Sequence, residues 1–315
     1  MYLNTSTGGD NTTEFRFAGN NSFVGTVHLN RGAITVTNAN SLGAASNPLI
    51  LDANNNATLG DLRFEASMTF THPINTLTAA NTNPINTNGN DVVFTGAYTG
   101  PAGLTKIGAG TLTLASASNN YTGPTTVSAG VLALGSGATL AATATTVQAA
   151  ATFRVDGTTA GAVNVQAGGK LQGTGTITNT VSIAASGTLA PGNSIGTLSA
   201  SAVVVSGGFD VEYNGGASGQ KIDLLDVTGG LNITNATLNL INLGLDPLDP
   251  MAGPYVFATY GTLTGASFAS VNNLPAGLEI DYNYNGLNQI ALVPEPSAAI
   301  LALAATGFLV RRRRR

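Results

Sequence analysis

The sequence predicts an all-β protein with a β-solenoid body and a short apolar helix at the C-terminus. Three observations support this prediction: a composition suited to short strands and turns, a repeat with a period of 18 residues, and a C-terminal segment of different composition. They divide the chain into a solenoid over 1–244, capping strands over 245–292 and a terminal segment over 293–315.

The composition favours strands joined by tight turns. Among 315 residues there are 40 Gly, and only 9% of the residues are charged, whereas Thr, Asn, Ala and Val are frequent. β-Branched residues fit a pleated sheet, and Gly and Asn tolerate positive φ angles in turns. Regularly spaced Val and Leu argue against a disordered segment of low complexity, because disordered chains are poor in such residues.

Charge and cysteine content exclude several classes of function. The net charge is −4, but five of the 12 basic residues are the last five of the chain, so the rest has 7 basic and 16 acidic side chains. An acidic body lacks the electrostatic footprint of a nucleic-acid-binding protein. The chain has no Cys, which rules out disulfides and thiolate metal sites.

An internal repeat indicates the solenoid. Residues 145–153, 163–171 and 181–189 align without gaps at an offset of 18. A unit of this length cannot bury a core alone, but it suits one turn of a coil that stacks on the turn before it. The residues that coincide are Val147, Val165 and Ile183; Ala149, Ala167 and Ala185; and Phe153, Leu171 and Leu189.

A weaker match relates residues 21–36 to 119–134 at an offset of 98 and retains a seven-residue spacing between glycines. We interpret it as two copies of one unit. The matched pairs are Asn21 with Asn119, Phe23 with Tyr121, Gly25 with Gly123, and Gly32 with Gly130.

Part of the body resembles a known repeat. The segment "GAGTLTLASASNNYTGPTTVSAGVLAL" at 108–134 resembles the autotransporter-associated β-strand repeat of bacterial surface proteins, and 168–198 and 224–240 are similar to the passenger segments that follow it. The resemblance implies a right-handed parallel β-helix. Residues 245–292 differ: they are rich in proline at first, and "LPAGLEIDYNYNGLNQIALV" predicts a final hairpin that turns at Asn285-Gly286.

The chain ends "VPEPSAAILALAATGFLVRRRRR". Its apolar run begins at Ala298 and ends at Val310, and these 13 residues would form a helix of about 20 Å. A bilayer core is about 30 Å thick, so flanking residues and snorkelling arginines are needed to complete the span. A buried helix would explain the apolar run but not the arginines, and a nucleic-acid patch would explain the arginines but not the apolar run. We therefore expect a membrane segment, which explains both. Its cytoplasmic stop-transfer residues are Arg311, Arg312, Arg313, Arg314 and Arg315.

These three parts, in this order, resemble the PEP-CTERM sorting signal of exported proteins of Gram-negative bacteria. The resemblance implies that exosortase, a membrane-embedded enzyme, processes the chain near Pro294, Glu295 and Pro296. Prolines stop the helix from extending upstream, so we expect Glu295 in an extended, exposed conformation. An exported protein also needs a signal peptide, and "MYLNTSTGGDNTTEFRF" lacks its basic and apolar regions. We therefore expect an N-terminally truncated product or a start placed too far downstream.

Catalytic residues are not indicated. We expect His28 on a strand facing solvent and His72, which precedes Pro73, in an extended or turn conformation. No Gly-x-Ser-x-Gly motif is present. We expect no catalytic residue, no cofactor and no metal.

Carboxylates leave an alternative open. On strands, i, i+2 pairs place both side chains on one face, where they could serve acid–base chemistry or cation binding. The simpler interpretation is a solvated outer face. A β-helical carbohydrate-active enzyme would require Asp210, Glu212, Asp223 and Asp226 to line one cleft. Two further acidic pairs are candidates, Asp246 with Asp249 and Glu279 with Asp281, and the second of them has the i, i+2 spacing.

The function predicted first is that of an exported structural or adhesive solenoid at the cell surface or in the extracellular matrix. It would be anchored transiently in the inner membrane and processed by exosortase. Ladders of Thr and Asn would bind extracellular polysaccharide or neighbouring surface proteins, and nucleic acid is not expected as a partner. The carbohydrate-active enzyme with the same sorting signal is the alternative.

Overall fold

The computed structural model describes residues 1–3, 13–52, 61–79, 82–244 and 246–296. These residues wind into a parallel β-solenoid with three faces, since every described strand up to Ser270–Asn272 pairs in parallel with a strand of a neighbouring turn. Short alternating segments form the strands, and small residues and glycines form the corners between them. The prediction of an all-β solenoid is confirmed for the described residues.

Each face is a stack of short strands. Two long strands, Thr176–Ile183 and Thr197–Val205, contribute their first halves to face 1 and their second halves to face 2. The other strands of face 1 are Tyr2–Leu3, Val27–Leu29, Leu49–Leu51, Ile74–Thr76, Tyr98–Thr99, Thr139–Leu140, Thr158–Thr159, Leu224–Val227 and Tyr255–Thr259. The other strands of face 2 are Glu14–Phe17, Ala33–Val36, Leu62–Phe64, Thr82–Asn86, Gly103–Ile107, Thr125–Val127, Thr145–Val147, Val163–Val165, Gly230–Asn232 and Thr262–Thr264.

Face 3 contains ten strands in one sheet. It begins in the third turn, because residues 37–48 form turns instead of a strand. Its strands are Met68–Phe70, Val92–Phe94, Thr111–Leu114, Gly130–Leu134, Ala151–Val155, Lys170–Gly173, Thr188–Pro191, Gly208–Tyr213, Thr237–Asn242 and Ser270–Asn272.

The core is a set of apolar columns inside the coil. The 18-residue repeat forms two of them, because its matched residues are direct neighbours in consecutive turns and are at most 2% exposed. The matched alanines lie outside, at exposed corners. The predicted period is therefore the length of one turn. The columns contain Val147, Val165 and Ile183 on face 2, and Phe153, Leu171 and Leu189 on face 3.

The two segments that match at an offset of 98 share a backbone conformation but do not occupy equivalent faces of the coil. Both segments form a strand, a corner glycine with positive φ (+91° at Gly32 and +65° at Gly130) and a second strand. The first copy runs from face 1 to face 2, whereas the second runs from face 2 to face 3. The two copies share a conformation and differ in their place in the coil.

The coil continues beyond residue 244 and ends in an antiparallel hairpin. One more parallel turn consists of Tyr255–Thr259, Thr262–Thr264 and Ser270–Asn272. Strands Leu278–Asp281 and Gln289–Pro294 then pair antiparallel through a 3-10 turn at Tyr284–Gly286. The predicted hairpin and its turn at Asn285-Gly286 are confirmed.

Among the described residues, no helix is long and apolar enough to cross a membrane. The apolar run from Ala298 to Val310 and the arginines from Arg311 to Arg315 lie outside the described residues.

Candidate functional site

A ladder of uncharged polar side chains runs along the outside of face 2. We call it the face-2 ladder; each member is flanked along its strand by two inward-facing residues, and consecutive members pair from one turn to the next. Strands lie about 4.8 Å apart, so the five members span roughly 19 Å. They are half-buried or exposed, whereas their neighbours along each strand point into the core. The members are Thr105, Thr126, Thr146, Asn164 and Ser182.

The surroundings of the face-2 ladder also lack charge. The segments 141–150, 160–169, 177–187 and 200–207 form its later strands and corners and contain no Asp, Glu, Lys or Arg. Charged side chains in the same turns, such as Arg154 and Lys170, belong to strands of face 3. In these later turns the charged side chains therefore lie on or beside face 3 and not on face 2.

Hydrogen-bonding groups of the face-2 ladder are free to meet a partner. Within the part of the chain that the structure describes, no side chain of the ladder takes part in a hydrogen bond. Hydroxyl and amide groups can each donate and accept. The ladder can thus offer a row of neutral donors and acceptors to an extended ligand.

Polar side chains at the C-terminal end of face 3 form hydrogen bonds with one another. The Asn272 amide donates to Asn239 Oδ1 at 2.8 Å, and the Asn239 amide donates to Asp210 Oδ1 at 2.7 Å. Ser270 Oγ donates to Thr237 Oγ1 at 2.9 Å. These bonds tie consecutive turns together, so the polar column of face 3 stabilises the coil.

The four carboxylates of the enzyme hypothesis do not line one cleft. Asp210 and Glu212 point outward from face 3, whereas Asp226 lies on face 1, where it accepts a hydrogen bond from Thr259 Oγ1 at 2.5 Å. Asp223 is fully buried and accepts bonds from the backbone N–H groups of Gly196 (2.9 Å) and Glu212 (2.7 Å). Burial raises the pKa of Asp223 to about 7.

The remaining candidates lie in the terminal hairpin and in the segment before the last parallel turn. Glu279 and Asp281 lie on the outermost strand of the hairpin, and Asp249 caps a turn by accepting a bond from the Met251 N–H at 2.8 Å. No group of three metal-binding side chains occurs among the described residues.

The two histidines lie on face 1 and at the corner before it. His28 is the outward residue of Val27–Leu29, as predicted, but it is half-buried because the Tyr2 ring packs on it at 4.9 Å. His72 is buried, and its Nδ1 lies 3.0 Å from the Asn47 carbonyl oxygen.

Sequence reasoning missed a buried lysine. Lys106 points into the core from face 2, between Ile85 and Val127 of the adjacent turns, and is 0% exposed. Its ammonium donates to the carbonyl oxygens of Ile107 (3.0 Å), Gly108 (2.6 Å) and Ala129 (3.1 Å). Burial lowers its pKa to about 8. The signal was available, since Lys106 is two residues from the buried Leu104 and so faces the same side.

The Pro-Glu-Pro motif begins inside the folded hairpin. Pro294 ends the strand Gln289–Pro294 opposite Leu278, and the Glu295 N–H donates to the Gly277 carbonyl oxygen at 3.0 Å. Glu295 is half-buried, which corrects the expectation that it is exposed. Pro296 is exposed.

One comparison with known proteins identifies part of this architecture. Residues 104–134 match the family model of the passenger-associated-transport-repeat. The match runs from the second residue of the strand Gly103–Ile107 to the end of Gly130–Leu134, and it includes Lys106 and two members of the face-2 ladder. A search of curated proteins gave no match. The chain therefore contains an autotransporter-associated repeat, which together with the parallel solenoid is consistent with an exported or surface β-helical protein.

Proposed function

We propose that the protein is an adhesive or structural solenoid of the cell surface or extracellular matrix that binds neutral polysaccharide along the face-2 ladder. The observation that supports this function is the row of unpaired hydroxyl and amide groups in a surface without charge. Binding by such a row requires no catalytic group. A polysaccharide chain presents hydroxyls along its length, and these complement a ladder of donors and acceptors.

Lysine substitutions test the binding proposal. Thr146→Lys and Asn164→Lys place a charge in the middle of the ladder without touching the core. Thr113→Lys is the matched control, because Thr113 is also a half-buried outward residue on a strand, but on face 3. Electrophoresis of the full chain in gels containing dextran, galactomannan or alginate measures the affinity for each polymer.

We expect a neutral polymer to retard the wild type and Thr113→Lys, and to retard the ladder variants at least about tenfold less, a loss of about 1.4 kcal/mol. Failure of the neutral polymers to retard the wild type would overturn the proposal. Self-association that the ladder variants abolish would instead identify a neighbouring copy of this protein at the surface as the partner.

The proposal includes a sorting step at the C-terminus. Exosortase would recognise Pro294, Glu295 and Pro296 while the apolar run holds the chain in the inner membrane and the terminal arginines stop its transfer. The order of motif, apolar run and arginines in the sequence supports this step. The exposure of Pro296 at the end of the solenoid is compatible with access by a membrane enzyme.

Glu295→Ala tests the sorting step in a host that has exosortase. The control is Glu279→Ala, which removes an exposed carboxylate from the neighbouring strand. We expect Glu295→Ala to accumulate at full length in the membrane fraction and Glu279→Ala to be released like the wild type. Normal release of Glu295→Ala would contradict recognition of the motif.

A further inference from the structure

We infer that the terminal hairpin sets the earliest position of the C-terminal cut: no bond from Gln289 to Glu295 is cut, and Glu295–Pro296 is the first bond after this strand that is open to a processing enzyme. The inference rests on the proposed sorting step and specifies the position of its reaction. It follows from how the hairpin holds the chain up to Glu295.

The strand that leads to the motif is the central one of three. Gln289–Pro294 pairs antiparallel with Tyr255–Thr259 on one side and with Leu278–Asp281 on the other. Ile290, Ala291 and Leu292 are each 0% exposed. An enzyme that binds its substrate as an extended, unpaired segment cannot reach this strand unless the cap is opened.

The pairing reaches into the motif itself. Pro294 is the partner of Leu278, which is 0% exposed. The next residue is held by the hydrogen bond from the Glu295 N–H to the Gly277 carbonyl oxygen. Gly277 has a φ of +77°, a conformation that glycine adopts without strain, so the backbone turns there to present this oxygen.

The constraint ends at Glu295 among the described residues. Pro296 is exposed and has no N–H with which to extend the pairing. Hydrolysis of the Glu295–Pro296 bond would add one water molecule, leaving a carboxylate on Glu295 of the retained chain and a secondary amine on Pro296 of the departing peptide. Cutting a later bond would leave the same folded cap and a longer remnant.

The C-terminal residue of the released protein tests the inference. Mass spectrometry of the C-terminal peptide from the extracellular fraction should find a chain that ends at Glu295 or later. A released chain that ends at Pro294 or earlier would overturn the inference and leave sorting intact. If no released form exists, the proposed sorting step fails instead.

Hydrogen exchange in the purified full chain tests, independently of exosortase, whether the hairpin holds the backbone of Glu295 through its hydrogen bond to Gly277. We expect the amides of Leu292 and Glu295 to be protected, and Leu278→Ala to remove protection at Glu295 while the amide of Phe153 in the central turns keeps it. If the Glu295 amide of the wild type exchanges at the rate of an unstructured peptide, the hairpin does not hold Glu295 and the inference is wrong.

Discussion

The buried ammonium of Lys106 gives the most quantitative prediction. The group lies in a core column and has three carbonyl oxygens as its only described partners. These carbonyls favour the charged form, but loss of hydration outweighs them and lowers the pKa from 10.5 to about 8. The difference corresponds to about 3 kcal/mol between the two protonation states.

The sign of the linked stability change follows from this pKa. Between pH 8 and 10.5 the unfolded chain holds a proton on Lys106 that the folded chain has released. Stability therefore rises with pH in this window. Relative to Lys106→Met, which cannot titrate, the wild type should gain about 3 kcal/mol between these limits.

The pKa is measurable directly. The chain has only three lysines, so a sample with ¹³C at lysine Cε gives three signals in a pH titration by NMR. The signal missing from Lys106→Met belongs to Lys106, and we expect its midpoint near 8. A midpoint near 10.5 would show that the Lys106 ammonium is hydrated in the folded protein. Stabilities of wild type and variant that change in parallel across this pH range would show the same.

Three further predictions concern the core. Phe153→Ala should lower the free energy of unfolding by about 3–5 kcal/mol in urea, because it empties a fully buried column position; a loss below 1 kcal/mol would contradict the column. Gly161→Ala would place its Cβ 1.7 Å from a carbonyl oxygen of the preceding turn and should destabilise the protein by about 1–3 kcal/mol. Gly219→Ala, with open space around it, should be nearly neutral; equal melting temperatures of the two variants would argue against the stacking. The folded pKa of Asp223 is raised from 3.8 to about 7, so the wild type should lose stability relative to Asp223→Asn as pH rises through this range. Equal changes in the free energy of unfolding of the two proteins with pH would contradict the burial of Asp223.

Periodic features of the fold were predictable from the sequence. The columns through Val147 and Phe153 follow from an offset that equals one turn, and the hairpin follows from Asn285-Gly286 between alternating strands. Such features depend on local spacing and on turn chemistry, which a single sequence displays.

Features that depend on how turns stack were not predictable. The match between 21–36 and 119–134 does not show that the two copies occupy different faces. The face of each copy depends on how many corners the chain has turned before it, and the matched residues do not contain this information. The sequence alone suggests a surface position for Asp223, because Asp side chains usually lie outside. Only the backbone N–H groups of Gly196 and Glu212, brought together by stacking, allow its burial.

The intact mass of the native protein in its extracellular and membrane fractions tests whether the C-terminal segment is a removable sorting signal. We predict an extracellular form that retains the solenoid and lacks the segment from Ala298 to Arg315. A protein found only in the membrane, with Arg315 still present, would contradict sorting and reduce the tail to an ordinary anchor.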